Sequence, residues 1–557
     1  MFRKRGRGWV VKIDKLNMLK MLRKNTNWEN EENRVELLHR LTKLFSVWTG
    51  PLPNLRDTFR PKEIDQLLLD SVNSMIERAE QNRVRELFIE LVARTGYKDE
   101  PIIGVNGKPL SLRTTAIHHA QMCRRSTVQA LFEIYDRSDV NYTDETTGLT
   151  HFHVACWYGF EDIVVKFLEL GQNPNCLSGE YLPGLSALQF AILGHHRKIV
   201  QLLLRKGADP NFAGEICGFT SLHIIAVSLS DDEFAKWFFE TCAEFRQTVQ
   251  VDARDVFDQT PLQWAVARLK PHMVDVFLDQ GADLSGFVYP SINYHGENLE
   301  PMPFKSCMAK LKIASTALII VENLERRGYE LDRSDALTIM ESFVEFELFD
   351  TFEDLDQRQH RWYDDDEFVN KSKEIMMNSS LSLYDLIRLR PEEAEKSLTY
   401  SEYLDFARSY DASTFFERHK RACAEHLCEK LARGIFRSWA LDSFLKLTNY
   451  RCPILCCEMI IDNLNNKDLL NVCLAKTLVE SKSNAAASAA GVSREKTKET
   501  KAESKPTIST LYRRRLKKTV MKPPLWLILK EEEAAAVAAP TDEAASAVAL
   551  ATIENNK

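Results

Sequence analysis

Features that would assign a chain to the membrane, secreted or nucleic-acid-binding classes are missing from this sequence of 557 residues. It has no run of about 18 apolar residues, so no transmembrane helix is expected. Its net charge is −7, and bulk charge therefore gives no reason to expect general nucleic-acid binding. Residues 1–24 lack the apolar core of a secretory signal. We therefore expect the 12 cysteines to be reduced thiols of the cytosol or nucleus.

The composition is that of a globular chain, with 44% hydrophobic and 27% charged residues. The length predicts about three or four domains. Charge is unevenly distributed, because residues 1–25 hold nine Lys and Arg against one acidic residue. Residues 341–367 hold eleven acidic residues against two Arg. We interpret this acidic stretch as a solvated surface, with binding of a cation or a basic partner as the alternative.

Five segments recur in phase along the chain. They begin at residues 113, 148, 184, 218 and 258 and read RTTAIHHA, GLTHFHVA, GLSALQFA, GFTSLHII and DQTPLQWA. Each resembles the ankyrin signature T-P-L-H-x-A, whose period is about 33 residues. The resemblance implies a short helix, a turn and a second helix per unit, with a core closed by stacking of neighbours. We therefore expect an all-α solenoid with about five ankyrin repeats over residues 111–290.

Glycines and hydroxyl residues mark the predicted helix ends. Glycines that suit a left-handed cap follow three second helices at Gly171, Gly207 and Gly281. Hydroxyl residues that can cap first helices are Thr150, Ser186, Thr220 and Thr260. The signature places His118, His153 and His223 where they bond neighbouring loop backbone, with a ligand or catalytic role as the alternative. Two departures stand out: Arg113 replaces a glycine, and 241–251 carry about six extra residues, which we expect in a loop.

The resemblance also predicts a target-binding concave face, at the second and third positions after each motif alanine. The residues at these positions are Met122, Cys123, Trp157, Tyr158, Leu193, Gly194, Val227, Ser228, Ala267 and Arg268. We predict target contacts from Trp157, Tyr158, Leu193, Val227 and Arg268, and from Tyr181, Phe212 and Phe257 in the finger loops. Trp, Tyr and Arg are common at binding hot spots. For Trp157 and Tyr158 the alternative is packing on the next repeat.

Helices are predicted on both sides of the repeats, over residues 1–110 and 291–445. Pro61 is expected to open a helical run from Glu63 to Ala93 that caps the first repeat. A helix capped by Ser334 or Asp335 is expected to run to about Glu347. Residues 104–109, GVNGKP, lack the spacing and the Ser or Thr of a phosphate loop, so we reject that interpretation.

Residues 446–478 carry a second motif. Pro453 is followed by Ile460-Ile461, Leu464, Asp468-Leu469 and Val472. This pattern resembles an F-box core, although Cys452 precedes the proline where Leu is usual, and Leu455 stands where an acidic residue is common. Ankyrin repeats followed by such a segment are the layout of the PRANC family of poxviral and parasitoid-wasp ankyrin proteins. The segments KIASTALIIVENLERRGYELDRSDALTIM and RPEEAEKSLTYSEYLDFARS also look like the wasp type.

The PRANC resemblance implies docking of a Skp-type adaptor of a cullin–RING ubiquitin ligase. The residues expected to contact the adaptor are Pro453, Ile460, Ile461, Leu464, Leu469 and Val472. The alternative is that these side chains complete the local core. Exposure of the six favours docking, and burial against 420–445 favours packing.

The remaining motifs predict no chemistry. Among the C-terminal cysteines only Cys452 and Cys456 have the spacing of a zinc pair, and both fall in a predicted helix, so no metal is expected. No arrangement of a nucleophile with a base was found, and no cofactor is expected. Residues 479–557 are of low complexity and are expected to be disordered. Seven Lys and Arg within 505–522 are either a nuclear import signal or solubilising charge.

Two functional hypotheses follow from these patterns. In the first, the chain is a non-enzymatic adaptor that holds a target protein on its repeats and recruits a ubiquitin ligase. In the second, the repeats sequester a partner, such as a transcription factor, without any ligase. Neither includes a nucleic-acid or membrane partner, and both place the chain in the cytoplasm, with entry to the nucleus open.

Overall fold

The computed structural model describes residues 15–46, 48, 51–73, 79–105, 107–179, 184–214, 217–228, 232–290, 308–348, 362–409 and 419–477. Within these ranges the chain forms helices, turns and isolated β-bridges, which confirms the predicted all-α class. The described residues up to Asp258 form one compact unit, unit 1, and those from Gln259 form unit 2. No helix in these ranges is both long and apolar enough to cross a membrane.

Unit 1 begins with helices that precede the repeats. They are α1 (Lys15–Lys24), α2 (Glu31–Ser46), α3 (Pro61–Asn73) and α4 (Ala79–Arg94). Pro61 is the first residue of α3, as predicted, since its missing N–H has no helical acceptor there. Of the predicted helical run from Glu63 to Ala93, the structure describes α3 up to Asn73 and α4 from Ala79, and residues 74–78 lie outside the described residues. The apolar stripe of α3 is buried, which is why an i, i+3, i+4 pattern identified this helix.

The repeats of unit 1 follow as helix pairs. Their helices are α5 (Arg125–Ile134), α6 (His151–Tyr158), α7 (Glu161–Glu169), α8 (Ala187–Leu193), α9 (Arg197–Arg205), α10 (Ser221–Ser228) and α11 (Asp232–Glu244). The first unit departs from the expected helix pair, because turns and a 3₁₀ helix at Ala120–Met122 replace its first α-helix. The predicted insertion also differs from expectation. It lengthens α11 to 13 residues, against nine in α7 and α9, before the loop begins.

Arg113, which replaces the motif glycine of the first unit, ties the N-terminal helices to the repeats. Its guanidinium forms ion pairs with Asp65 of α3 and, at 3.0 Å, with Asp99. The hydroxyl of Tyr142 donates to Asp99 at 2.6 Å, and that of Tyr135 donates to Asp65 at 3.1 Å. Because these groups are largely buried, each carboxylate depends on its partners for solvation. We call this cluster the Arg113 seam.

Unit 2 contains the last repeat and the C-terminal helices. Its helices are α12 (Pro261–Ala267), α13 (Pro271–Asp279), α14 (Met308–Arg326), α15 (Arg333–Glu345), α16 (Asp366–Glu374), α17 (Leu383–Arg388), α18 (Pro391–Ser397), α19 (Tyr400–Ser409), α20 (Lys420–Leu447), α21 (Ile454–Asp462) and α22 (466–477). The cap of α15 is Asp332, not Ser334 or Asp335 as predicted. Asp335 instead sits at the third helical position and bonds back to the cap.

The 28-residue helix α20 organises unit 2, since it packs against α14, α18 and α21. Its Glu425 is fully buried and accepts from Lys310 of α14 at 2.8 Å. Lys310 also donates to the carbonyl oxygen of Glu347 at 2.7 Å. An edge-to-face contact joins Phe436 to Phe343 of α15, with ring centroids 5.2 Å apart. These contacts make α20 a fixed base for the C-terminal helices.

Candidate functional site

The signature histidines are structural. In α6, Thr150 caps the helix and its backbone N–H donates to Nδ1 of His153, so the proton of this ring lies on Nε2. Nε2 then donates to the carbonyl oxygen of Cys176 in the next finger loop at 3.0 Å. His118 makes the same pair of bonds, to Thr115 and to Tyr142. Both rings are therefore fully engaged in holding loops.

Glutamine takes the place of histidine in other units. Gln189 bonds back to its cap Ser186, and its side-chain amide donates to the carbonyl oxygen of Phe219 at 2.6 Å. Gln263 repeats the arrangement with Thr260 and Val288. A side chain that accepts near its base and donates at its tip is therefore what this position requires.

Three buried histidines of the repeats, His118, His151 and His153, are neutral near pH 7 in the folded chain. Burial lowers the pKa of His118 and of His153 to about 4 in each case, because a charged ring loses its water shell there. Burial also lowers the pKa of His151 well below its usual value. These rings do not titrate near neutral pH in the fold. They therefore contribute no positive charge to the binding of a partner.

Trp157, a predicted target contact, lies inside the repeat stack. Its side chain is only 4% exposed, and its ring centroid is 5.9 Å from that of Phe190 in the next unit. Its carbonyl oxygen accepts from the Nε2 atom of His196 at 2.9 Å. The geometry therefore corresponds to packing on the next repeat, which was the alternative reading of this residue.

Tyr158 packs in the opposite direction, against the preceding unit. Its hydroxyl donates to the carbonyl oxygen of Ala120 at 2.6 Å and lies 3.0 Å from that of Gln121. Its ring stacks on Phe160 at a centroid distance of 6.3 Å. The side chain is half-buried.

The other predicted target contacts differ in exposure. Leu193 and Val227 are each only 3% exposed and belong to the core. Arg268, in unit 2, is half-buried. Tyr181 lies outside the described residues. Of the described finger-loop aromatics, Phe212 is half-buried and Phe257 is 55% exposed, which makes Phe257 the more accessible of the two.

Exposed apolar side chains gather on α21. Four apolar residues of this helix are each between 44% and 70% exposed. They are Ile454, Leu455, Met459 and Ile460. Leu455, Met459 and Ile460 lie at i, i+4 and i+5, which places them on one side of a helix. We call these four residues, with the exposed Pro453 that precedes them, the α21 face.

The opposite side of α21 is fixed to α20. Cys457 and Ile461 are fully buried. The guanidinium of Arg433, on α20, donates to the carbonyl oxygens of Ile461 at 2.9 Å and of Asp462 at 3.2 Å. Arg437 forms an ion pair with Asp462 at 2.6 Å. The α21 face therefore lies on a short helix whose C-terminal end is held by hydrogen bonds and an ion pair from α20.

The six predicted docking residues divide by exposure. Pro453 and Ile460 are exposed, and Leu464 and Val472 are half-buried. Ile461 and Leu469 are fully buried, because both pack on the inner side of the C-terminal helices. The pair Ile460-Ile461 cannot act together, since successive residues of a helix lie about 100° apart.

Sequence reasoning missed two of the most exposed residues of this face. Leu455 was noted only as a departure from the F-box pattern, and Met459 was not considered. Their i, i+4 spacing was a readable signal of a shared helix face. A second exposed apolar segment was also missed, in the loop before the first repeat. Its exposed residues are Ile102, Ile103, Val105, Leu110 and Leu112.

Metal-binding and nucleophilic groups are not gathered in the parts of the chain that the structure describes. No cluster of three or more His, Cys, Asp or Glu residues suited to a metal occurs there. The thiols of Cys156, Cys423 and Cys428 are buried, and burial raises the pKa of each. A buried, protonated thiol is a poor nucleophile.

Comparison with known proteins identifies the repeats. A family profile described as ankyrin repeats (three copies) matches residues 120–214 and 188–288. The chain is 30% identical over 155 residues to the potassium channel AKT2/3 of Arabidopsis thaliana, which is 28% of this chain and 17% of the channel. It is 37% identical over 78 residues to BCL-6 corepressor-like protein 1 of Homo sapiens, which is 14% of this chain and 4% of that protein. The chain thus spans less than a fifth of either relative, and the predicted ankyrin repeats are confirmed.

Proposed function

We propose that this chain, which contains ankyrin repeats, is a non-enzymatic adaptor that holds a target protein on its repeats and docks a second protein on the α21 face. Ankyrin repeats act in protein–protein interaction, and this premise rests on the family match over 120–288. By the PRANC resemblance, the second protein is a Skp-type adaptor of a cullin–RING ubiquitin ligase. The chain itself performs no reaction and raises the concentration of target near the ligase.

The observation that supports docking is the apolar character of the α21 face. Its four large side chains are all more than 40% exposed on a helix of nine residues. Burying such side chains against a partner contributes about 25 cal/mol for each Å² removed from water. The buried anchors of α21 also reduce the entropy lost on binding, because the helix is already ordered before the partner arrives.

The experiment replaces Leu455 and Met459 together by Asp in the full-length chain. We expect loss of co-purification of a Skp-type adaptor and a cullin from cell lysate, because two charges on the face cannot enter an apolar groove. The matched control is Met376→Asp, an exposed apolar residue of unit 2 outside the α21 face. Adaptor recovery that is the same for the double variant and the control would contradict the docking assignment.

Point variants are better suited to this test than truncation before α21. Residues 446 and 447 belong to the last turn of α20, so a cut just before them would shorten that helix. In addition, Arg433 of α20 is buried beneath the C-terminal helices. Removing those helices would expose that guanidinium and the apolar residues around it. A truncated chain would then report on the folding of unit 2 rather than on docking.

Sequestration without a ligase is the second candidate function. It is favoured by the burial of Ile461 and Leu469, two of the six residues expected at the docking site. It predicts that one target protein co-purifies equally with the wild-type chain and with the Leu455→Asp/Met459→Asp variant, and that neither brings down a cullin. The two candidate functions therefore differ in whether a cullin co-purifies with the wild-type chain.

A further inference from the structure

A cleft in unit 1 lies outside the repeats and the α21 face. Its volume is about 450 Å³, and it opens between α1, the start of the segment before α2, and the turn that precedes α3. Trp28 forms part of its wall and packs edge-to-face on Phe59, with ring centroids 6.3 Å apart. We call this space the N-terminal cleft.

Positive charge dominates the N-terminal cleft. Lys20 and Lys24 of α1 and Arg60 from the opposite side line it, and all three are exposed. None of the three forms an ion pair with another residue in the described ranges. A ligand that carries negative charge would therefore meet three cations from two sides.

The carboxylates of the cleft do not cancel this charge. Glu63 accepts two bonds from Arg23, at 2.8 and 2.9 Å, so these two residues neutralise one another. Burial opposes ionisation of Glu63, but the bonds from Arg23 and from the backbone N–H of Arg60 outweigh it and lower its pKa. Asp57 is the remaining acidic residue of the lining, and it is exposed. Three cations against one carboxylate leave a net positive site.

Thr58 supplies a second, independent feature. It lines the cleft, it is only 6% exposed, and its hydroxyl has no hydrogen-bond partner within the described residues. A buried hydroxyl without a partner costs free energy that a bound acceptor recovers. Because Thr58 lines the same cleft as the three cations, we expect a phosphate oxygen bound there to accept from its hydroxyl.

Apolar side chains stand beside the cations on α1. Met18 and Met21 are 43% and 63% exposed, and Leu16 is 39% exposed. In the sequence, residues 1–25 carry nine basic residues and one acidic residue. Cations next to exposed apolar side chains are typical of helices that lie at the surface of an anionic bilayer, where apolar groups enter the acyl boundary and lysines reach phosphates.

We propose that the N-terminal cleft binds the phosphate group of an anionic lipid headgroup, with α1 lying against the membrane surface. The cations and the Thr58 hydroxyl take the phosphate oxygens, and Met18 and Met21 enter the boundary of the acyl chains. This differs from the expectation that the chain has no membrane partner. That expectation rested on the absence of a spanning segment, which does not describe the local surface of α1.

The test is sedimentation of the full-length chain with vesicles of phosphatidylcholine, alone or mixed with a phosphatidylinositol bisphosphate. We expect binding only to the mixed vesicles. The triple variant Lys20→Gln/Lys24→Gln/Arg60→Gln should lose roughly 100-fold in affinity, since each basic residue at such a surface contributes about fivefold. The matched control, Lys166→Gln/Lys206→Gln/Lys236→Gln, removes the same charge from exposed positions of unit 1 and should bind normally.

Thr58→Val separates a formed site from simple attraction of charge. It removes the hydroxyl and keeps the shape, so we expect weaker vesicle binding by roughly threefold to tenfold with a melting temperature that does not fall. An equal loss in the control triple, or unchanged binding in Thr58→Val, would overturn the proposal. So would binding of soluble inositol trisphosphate or of duplex DNA without binding to the mixed vesicles.

Discussion

Helices α6 and α21 have similar lengths and similarly apolar sequences, yet they lie in opposite surroundings. Seven of the eight residues of α6, HFHVACWY, are buried, whereas two of the nine residues of α21, ILCCEMIID, are buried. The difference arises from neighbours, because α6 has a unit on each side and α21 is held mainly by α20. Apolar composition therefore does not distinguish a core helix from a docking helix in this chain, and the number of covering elements does.

The largest expected effect is on the core side of this comparison. Trp157→Ala should lower the free energy of unfolding of unit 1 by about 3–5 kcal/mol, because it leaves a cavity between two units. The measurement is urea unfolding followed by circular dichroism. This outcome corresponds to the alternative given for Trp157 from the sequence, packing on the next repeat, rather than to a target contact. A change below about 1 kcal/mol would place Trp157 at the surface.

The next effect depends on pH. His153 of α6 has a folded pKa of about 4 and an ordinary value of 6.5, so between these values the unfolded chain binds the proton more readily. Stability is therefore complete above pH 6.5 and is lost as the pH falls toward 4. The slope is at most about 1.4 kcal/mol per pH unit for this ring. Urea unfolding between neutral pH and pH 4.5 measures it.

The matched variant for the pH experiment is His153→Gln. Glutamine makes the equivalent cap and loop bonds at Gln189, so the variant should fold and lose part of the acid sensitivity. His118 and His151 remain and also have lowered pKa values, so the sensitivity should not vanish. An identical pH profile in the variant would mean that His153 is not the group that titrates.

A smaller effect is expected from Tyr158→Phe, at the end of α6. It removes one hydroxyl and its bond to the carbonyl oxygen of Ala120. We expect a loss of about 1 kcal/mol, the usual value of one hydrogen bond. Comparing its urea midpoint with that of Trp157→Ala ranks the two aromatic residues. A loss as large as that of Trp157→Ala would mean that Tyr158 is equally part of the core.

The smallest effect on stability is expected on the α21 face. Leu455→Ala with Met459→Ala should change the free energy of unfolding by less than about 0.5 kcal/mol, because these side chains are already in water. The same double variant should weaken binding of the proposed partner, a Skp-type adaptor. The measurement is titration calorimetry of the variant with that adaptor in purified form. A large fall in stability would show that another part of the chain covers this face.

The ankyrin repeats could be predicted from the sequence because each unit carries local signals for the ends of its helices. A capping hydroxyl, a residue that bonds back three positions later, and a left-handed glycine recur in phase. Gly171 and Gly207 adopt φ values of 88° and 87°, as predicted from their place after second helices. The structure of the first unit could not be predicted from such signals. Its helix is replaced by a 3₁₀ turn whose carbonyl oxygens are taken by Tyr158, a residue of the next unit.

The candidate site was predicted less well than the fold. Pro453 and Ile460 are exposed, as the docking prediction requires, but motif position did not separate Ile460 from the buried Ile461. That distinction depends on which side of α21 packs against α20. One contact that fixes this side is the bond from the Arg433 guanidinium of α20 to the carbonyl oxygen of Ile461, 28 residues away in the sequence. Long-range contacts of this kind leave no local pattern in the sequence.

The Arg113 seam limits how this repeat array can change its length. Arrays gain or lose units when a stretch of sequence is duplicated or deleted, and each copy must fit either neighbour. Units that begin with glycine, at Gly148 or Gly184, bring no charge at this position that must be paired. The first unit differs, since Arg113 needs Asp65 and Asp99. A second copy of it placed inside the array would bury a guanidinium without its carboxylates, so growth of the array is confined to its later units.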